Sequence, residues 1–189
     1  MTKLFFYSVF LIVNFKTEAQ DCGVERWKIK TLSDRDTVLI NFTKVEKTSI
    51  HEQVALKRPS INRNSRHISE RTVYEMSCSI VGYKREAGDK DIHIILEDEE
   101  TEETLVAELP SSRCPEINLT SRSKLFFELE KWFVANIGYP TSNFVYLKKH
   151  IPVIITGIGY FDYVHGQIGM ATNGREIHPI LGIKKRNIK

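Results

Sequence analysis

Residues 121–140 read SRSKLFFELEKWFVANIGYP and are the most regular apolar pattern that separates the predicted strands. Their apolar side chains recur at helical spacing. Ser121 before them, and Gly138 and Pro140 after them, are typical of the start and end of a helix. The apolar stripe consists of Leu125, Phe126, Leu129, Trp132, Phe133 and Ile137. It predicts a helix that closes a hydrophobic core, so the fold depends on the elements on either side of it.

Three strands are predicted before this helix. Residues 72–84 alternate as a strand, residues 91–97 alternate strictly between apolar and polar, and residues 104–109 form a third strand before Pro110. An acidic cluster over residues 98–103 predicts a solvated turn between the last two.

Two more strands are predicted after the helix, at residues 152–163 and 176–184, with a glycine-rich loop between them. Pro179 inside the last strand predicts an edge position or a bulge. Three strands, a helix and two strands is the order of the OB-fold, a small Greek-key barrel. We therefore expect a mainly β protein: a five-stranded OB-fold-like barrel with one capping helix between strands 3 and 4.

The part of the chain before the barrel is predicted in two segments. Residues 1–19 have a positive start, an apolar run and small residues at Thr17 and Ala19, the pattern of a secretory signal peptide. The alternative is an N-terminal helix packed in the core. Cleavage after Ala19 would place the protein outside the cytoplasm, secreted or periplasmic.

Residues 20–70 are predicted to form an N-terminal extension and connector, and residues 71–189 the barrel domain. Within the extension we expect a short strand over residues 38–42. The capping-box spacing from Ser49 to Glu52 predicts a short helix after it. Residues 60–71 are polar and basic and are predicted to be an exposed connector.

Composition bounds the possible functions. The chain has 189 residues, of which 41% are hydrophobic and 27% charged, enough for one ordinary globular core. Its net charge of +3 excludes a strongly basic nucleic-acid coat protein and a highly charged disordered chain. No apolar run reaches the roughly 18 residues of a membrane span, so we expect none.

The three cysteines have different surroundings. Cys78 is in phase with the apolar face of the first predicted strand, whereas Cys22 and Cys114 lie in irregular stretches. In an oxidising compartment a pair of cysteines bridges and an odd one is left over. The sequence therefore predicts a disulfide between Cys22 and Cys114; the alternative is that all three are reduced.

Several stretches resemble a family of secreted bacterial proteins of unknown function with an OB-fold-like barrel. Residues 165–179 read HGQIGMATNGREIHP and residues 22–27 read CGVERW, with Lys30 and Thr31 following; residues 81–84 read VGYK and residues 91–93 read DIH. The resemblance implies that Cys22 and Cys114 are the family's two recurrent cysteines and that Cys78 is particular to this chain. It brings no activity with it.

An OB-fold places its ligand across strands two and three and the loops beside them, here residues 83–90 and 163–175. We expect an oligomeric or anionic ligand, either single-stranded nucleic acid or an oligosaccharide. The expected contacts are Tyr83, Asp91, His93, His165, Gln167 and His178.

An enzyme is the competing hypothesis. His93, His165 and His178 could hold a divalent metal and support a metal-assisted phosphodiesterase or nuclease. Imidazoles beside carboxylates also suit general acid–base catalysis near neutral pH, with His165, Glu176 and His178 as the catalytic candidates. No cofactor other than such a metal is predicted.

The same residues also allow other interpretations. Asp89, Asp91 and Asp98 could hold a harder cation, and His165 and His178 could equally be structural residues that tie the last loop to the barrel. A third hypothesis is a structural or partner-binding envelope protein with its N-terminal segment as the dock.

A basic surface is a further candidate for an anionic ligand, with aromatic rings nearby for stacking. The alternative is ordinary solvated charge. The basic residues are Lys57, Arg58, Arg63, Arg66 and Arg71 in the connector and Lys184, Lys185, Arg186 and Lys189 in the tail; the aromatic ones are Tyr83, Tyr160, Phe161 and Tyr163.

Overall fold

The protein is mainly β, with short helices. The computed structural model describes residues 22–23, 25–164 and 166–187. The predicted signal peptide, His165 and Lys189 lie outside the described residues. The strands are β1 (Val45–Thr48), β2 (Val73–Arg85), β3 (Ile92–Glu97), β4 (Thr104–Leu109), β5 (Val145–Phe161) and β6 (Arg175–Lys185). The helices are α1 (Trp27–Lys30), α2 (Ile50–Val54) and α3 (Ser123–Asn136), with 3₁₀ turns at Arg35–Leu39, Ile68–Glu70 and Pro115–Leu119.

The six strands form one sheet, in which five strands close into a ring. β2, β3 and β4 are antiparallel neighbours, β4 pairs in parallel with β6, β6 is antiparallel to β5, and β5 returns to β2. β1 pairs in parallel with β2 outside this ring. The predicted order of three strands, a helix and two strands is confirmed, with β2 to β6 as the five strands.

The helix α3 packs against the core, as its apolar stripe predicts. Phe126 and Phe133 are fully buried and belong to the same cluster as the inward side chains of the strands. The helix begins at Ser123, and Arg122 is its N-cap residue with no side-chain hydrogen bond, so Ser121 does not cap it. It ends at Asn136, before Gly138, which has a φ of 154°.

The strand predicted over residues 38–42 is wrong. Arg35–Leu39 is a 3₁₀ turn, started by the Asp34 side chain, which accepts a hydrogen bond from the amide of Asp36. Val38 and Leu39 are exposed, so this apolar pair marks no core-facing strand. The strand of this region is β1.

The N-terminal segment belongs to the body of the protein. The capping box predicted at Ser49 and Glu52 is confirmed and starts α2. Leu32, Ile40 and Ile50 are buried in the same core cluster as the ring strands. The segment therefore shares one core with the ring.

Residues 60–71 are more buried than predicted. Arg66 donates hydrogen bonds to Asp34 and to the carbonyl of Ile29, and Glu70 is buried against Arg26. Internal ion pairs of this kind hold the segment on the ring. The prediction of an exposed connector is therefore correct only for the residues on the outer side of this segment.

The predicted disulfide between Cys22 and Cys114 is present, across a sequence separation of 92. Cys78 is a free, buried thiol in β2. A disulfide is compatible with an oxidising compartment outside the cytoplasm. No helix in the described part of the chain is long and apolar enough to cross a bilayer.

Pro179 lies at an irregularity between β5 and β6. The register of the two strands shifts between the pairs Gly157–Ile180 and Gly159–Ile177. Of the two positions predicted for Pro179, the structure has the bulge.

Candidate functional site

Tyr83 does not face solvent. Its ring packs edge-on against Phe133, with centroids 5.2 Å apart, and a Cβ at Gly138 would collide with its hydroxyl. Tyr160 and Phe161 are likewise buried. These three rings therefore offer no stacking face to a ligand, and the contact expected at Tyr83 is not supported, because β2 turns this side chain toward α3.

The two loops expected to flank a ligand do converge on one pocket of about 230 Å³. Residues 83–90 contribute Glu86, Gly88 and Asp89, and residues 163–175 contribute Gln167. The other lining residues are Gly23, Glu25, Lys30, Glu108 and Asp162. The N-terminal segment thus supplies one wall of the pocket.

Among the described residues, the lining of this pocket contains five acids, Glu25, Glu86, Asp89, Glu108 and Asp162, and one base, Lys30. Outside the lining, Lys84 pairs with Glu86 at 2.9 Å. The Nζ of Lys30 lies 3.1 Å from Asp89 and 3.8 Å from Glu108. Burial alone would lower the pKa of Lys30, but these carboxylates outweigh it and raise the pKa well above its ordinary value. The pocket therefore has a negative potential.

Behind the pocket floor lies a set of buried polar side chains, here named the acid–histidine cluster: Asp91, His93, Glu108, Glu176 and His178. Glu108 is its centre. One carboxylate oxygen lies 3.0 Å from Nδ1 of His93, and the other lies 3.1 Å from Nδ1 of His178. The carboxylate thus bridges two histidines that are far apart in sequence.

Strand register explains why these residues meet. His93 is the cross-strand partner of Glu108 in the β3–β4 pair. Glu176 pairs with Val106 across the β4–β6 boundary, and His178 follows two residues later on the same face. Asp91 precedes β3 and accepts a hydrogen bond from the amide of Ser111, 3.0 Å away.

His178 lies among three carboxylates. Its Nε2 is 3.2 Å from Asp91, and its Nδ1 is 3.1 Å from Glu108 and 3.9 Å from Glu176. Burial alone would lower the pKa of His178, but the carboxylates raise it well above the ordinary value. Although these distances are those of ion pairs, neither ring nitrogen has a hydrogen bond within the described residues.

Burial also shifts the acids of the cluster. It raises the pKa of Asp91 and that of Glu176 to about 7. Burial would raise the pKa of Glu108 too, but Lys30 and the two histidines outweigh it and lower that pKa well below its ordinary value. Groups that titrate near neutral pH beside a committed carboxylate can serve acid–base chemistry or bind a cation.

Two sets of three residues bring ligand atoms within 4.8 Å of one another: Glu86, His93 and Glu108, and Asp91, Glu108 and His178. The structure thus links His93 and His178, two members of the predicted metal trio, through Glu108. The third member, His165, lies outside the described residues.

The three aspartates proposed for a harder cation have different partners. Asp89 pairs with Lys30, Asp91 faces His178, and Asp98 accepts hydrogen bonds from the amides of Glu100 and Thr101 in a turn. Their contacts give them separate roles and do not support a shared aspartate site.

Glu108 and Lys30 were missed by sequence reasoning. Glu108 interrupts the apolar strand TLVAEL, and a charged residue in a strand that is buried on both faces was the available signal. Lys30 gave no such signal, because its burial depends on contacts with distant segments.

Much of the predicted basic surface is engaged inside the protein. Arg58 donates to the carbonyls of Asn173 and Asp162 at 2.7 and 2.6 Å, and Arg66 is buried against Asp34. In the tail, Arg186 pairs with Glu99, whereas Lys184 and Lys185 stay at the surface at the end of β6. In the connector, Lys57 and Arg63 remain exposed, and Arg63 lines a separate surface pocket of about 860 Å³ together with Lys28 and Arg35.

No family model matches this chain, and no curated protein is significantly similar to it. The fold and the site define a mainly β protein with an acid-lined pocket above a buried acid–histidine cluster.

Proposed function

We propose that the five-strand ring is an OB-fold-like barrel and that the protein is a secreted module that binds an oligosaccharide. Support for the barrel comes from the ring closure and from the helix between the third and fourth of its strands. Support for secretion comes from the disulfide and from the signal-peptide pattern of residues 1–19.

The observation that carries the proposal is the pocket of about 230 Å³ between residues 83–90 and 163–175. These loops flank the ligand face of an OB-fold. The pocket is smaller than the roughly 300–1,000 Å³ of drug-sized ligand sites. It suits one ring of a longer chain that continues over the surface.

The charge of the lining decides between the two ligands expected from the sequence. Five acidic residues and one lysine are the charged groups of the lining within the described residues, and even with Lys84 beside Glu86 the acids are in excess, which disfavours a phosphate backbone. Sugar hydroxyls, in contrast, donate hydrogen bonds to carboxylates and to the carbonyl of Gln167. An ammonium group on the sugar would gain further attraction. The pocket therefore favours a neutral or amino sugar.

Three labelled probes of equal length test this proposal: a glucosamine oligomer, an N-acetylglucosamine oligomer and a single-stranded oligonucleotide. We expect fluorescence anisotropy to show the tightest binding for the cationic sugar and the weakest for the oligonucleotide. Glu86→Gln removes a charged acceptor from the pocket and is expected to weaken sugar binding about tenfold.

Glu46→Gln is the matched control, because Glu46 lies on β1 and is exposed. It is expected to leave sugar affinity unchanged. Salt-sensitive binding of the oligonucleotide, with neither sugar bound, would overturn the proposal.

A metal-assisted phosphodiesterase is a second candidate, favoured by the Glu108 carboxylate that bridges His93 and His178. The same oligonucleotide, incubated with Mn²⁺ and run on a denaturing gel, tests it. Shortening that requires Mn²⁺ and is abolished by His178→Asn would support this activity, and an intact oligonucleotide would exclude it for this substrate.

A further inference from the structure

Three fully buried residues of the acid–histidine cluster have polar atoms without a hydrogen-bond partner in the described part of the chain. These atoms are Oδ2 of Asp91, both carboxylate oxygens of Glu176 and both ring nitrogens of His178. Leaving one such group unpaired costs about 1–3 kcal/mol, and more when it is charged. A concentration of them in one place is typical of a site that holds an ion or ordered water.

Asp91 and His178, which carry such atoms, lie beside Glu108, and Glu176 lies beside His178. Asp91, Glu108 and His178 each offer one ligand atom within 4.8 Å of the others, and a carboxylate oxygen of Glu176 lies 3.9 Å from Nδ1 of His178. We propose that the protein binds one divalent transition-metal cation between Asp91, Glu108, Glu176 and His178. This inference goes beyond the proposed sugar binding and does not depend on it.

The charge of the site matches such an ion. Once deprotonated, the three carboxylates carry three negative charges, and Lys30, 3.8 Å from Glu108, offsets at most one of them, since it also pairs with Asp89. With a neutral His178 as ligand, at least two negative charges remain to balance a divalent cation.

The ligand types indicate the class of metal. An imidazole nitrogen together with carboxylate oxygens suits Zn²⁺ and similar first-row ions. Mg²⁺ and Ca²⁺ prefer oxygen ligands alone. Zn²⁺ is therefore the probe of choice, and Mg²⁺ the comparison.

The other set of close ligand atoms, around His93, does not carry a metal equally well. Nδ1 of His93 is 3.0 Å from Glu108 and Nε2 is 3.1 Å from the carbonyl of Ile168, so both ring nitrogens already have partners. A metal-bound imidazole needs one nitrogen free. His93 instead holds Glu108 in place, as outer-shell residues of metal sites do.

Isothermal titration of the purified, oxidised protein with ZnCl₂, after removal of metals with a chelator, tests the site. We expect one tight equivalent of Zn²⁺ and no comparable binding of Mg²⁺. Glu176→Gln keeps the shape of the side chain and removes its charge. We expect it to lower the affinity for this Zn²⁺ ion by more than the about 10- to 100-fold that is typical when an outer-shell residue is changed.

Glu103→Gln is the matched control. It breaks the exposed pair between His51 and Glu103, 2.7 Å apart, which is the kind of surface pair that binds Zn²⁺ weakly. We expect it to leave the tight equivalent unchanged. Loss of the tight equivalent in this variant would move the site to the surface and overturn the proposal.

Thermal unfolding separates loss of the site from loss of the fold. With chelator present, we expect Glu176→Gln to melt at or above the temperature of the unsubstituted protein, because an unpaired buried carboxylate is gone. Zn²⁺ should raise the melting temperature of the unsubstituted protein and not that of the variant. Absence of a tight equivalent in the unsubstituted protein, or equal affinity in Glu176→Gln, would refute the site and leave the sugar proposal untouched.

Discussion

Arg26 and Glu70 form a buried ion pair that ties the N-terminal segment to β5. Nη1 of Arg26 donates a hydrogen bond to Oε1 of Glu70, and Nη2 donates one to Oε2, each at 2.7 Å. Arg26 also donates to the carbonyl of Phe161, and the amide of Phe161 donates to Glu70. Because almost no solvent reaches either side chain, each charge depends on the other.

Replacing Glu70 with Gln is expected to lower the free energy of unfolding by about 3–5 kcal/mol, because Arg26 is left as an uncompensated buried charge. Urea denaturation measures this. The control Glu46→Gln breaks the exposed pair with Lys44 and should cost about 0–1 kcal/mol. Equal, small losses in both variants would show that the buried pair does not stabilise the fold.

The same pair predicts a dependence of stability on pH. Burial alone would raise the pKa of Glu70, but the hydrogen bonds and charge of Arg26 outweigh it and lower the pKa below the ordinary 4.5. The stabilisation from Glu70 is therefore complete above about pH 4.5 and is lost as the pH falls through the lower, folded-state pKa. We therefore measure the free energy of unfolding by urea denaturation from pH 7 to pH 2. The difference in this free energy between the unsubstituted protein and Glu70→Gln should begin to shrink only below about pH 4.5. A difference that is constant across this range would contradict the assignment.

The sequence singles out Asp91, His93, Glu176 and His178, and the structure brings all four together. The sequence could not show that these side chains are buried. Alternation within a strand indicates which residues share a face of the sheet, but it does not indicate which other segments cover that face. The N-terminal segment and the last loop cover it here, and those contacts join residues far apart in the chain. Tyr83 was misplaced for the same reason.

The bulge between β5 and β6 brings two backbones unusually close. A Cβ on Gly157 would collide with the side chain of Ile177 and lie 2.7 Å from the carbonyl of Pro179. Gly182, further along β6, meets only Thr156 at ordinary van der Waals distances from 3.4 Å. The two glycines therefore offer a matched test of packing at this strand pair.

Gly157→Ala is expected to lower the free energy of unfolding by about 1–3 kcal/mol, the usual effect of overpacking. Gly182→Ala should be tolerated, within about 0.5 kcal/mol. Thermal and urea unfolding of the two variants measure the difference. Equal stability would mean that the bulge relaxes to admit a methyl group.

Periodicity predicted the five ring strands and α3, because each has a clear repeat of apolar residues and a turn signal at its end. It failed before residue 72. The apolar pair Val38 and Leu39 suggested a strand, yet both are exposed, while β1 has mostly polar side chains and is defined by its pairing with β2. Such elements are held in place by ion pairs or by pairing with a distant strand. Their sequences therefore show little periodicity of apolar residues.

The disulfide between Cys22 and Cys114 joins the start of the described chain to the 3₁₀ turn Pro115–Leu119 before α3. Its closed loop includes β1 to β4 and a sequence separation of 92. On the chain-entropy estimate, a loop of that length contributes about 4–5 kcal/mol by restricting the unfolded chain.

The paired change Cys22→Ser with Cys114→Ser is expected to lower the free energy of unfolding by about that amount, as measured by urea denaturation. Cys78 provides the internal control. Burial raises the pKa of its thiol to about 12, so alkylation of the folded, oxidised protein should leave Cys78 unmodified, and alkylation in urea should label it. Labelling of Cys78 in the folded protein, or unchanged stability without the bridge, would contradict this account.

The parallel pairing of β4 with β6 is short, with Val106 opposite Glu176 and Ala107 opposite Ile177. The acid–histidine cluster spans this junction, since Glu108 belongs to β4 and His178 to β6. The first three ring strands can associate through local hairpins, but this contact joins parts of the chain some 70 residues apart and forms late on general grounds of loop closure. As the chain folds, the acid–histidine cluster is therefore incomplete until β6 has docked against β4.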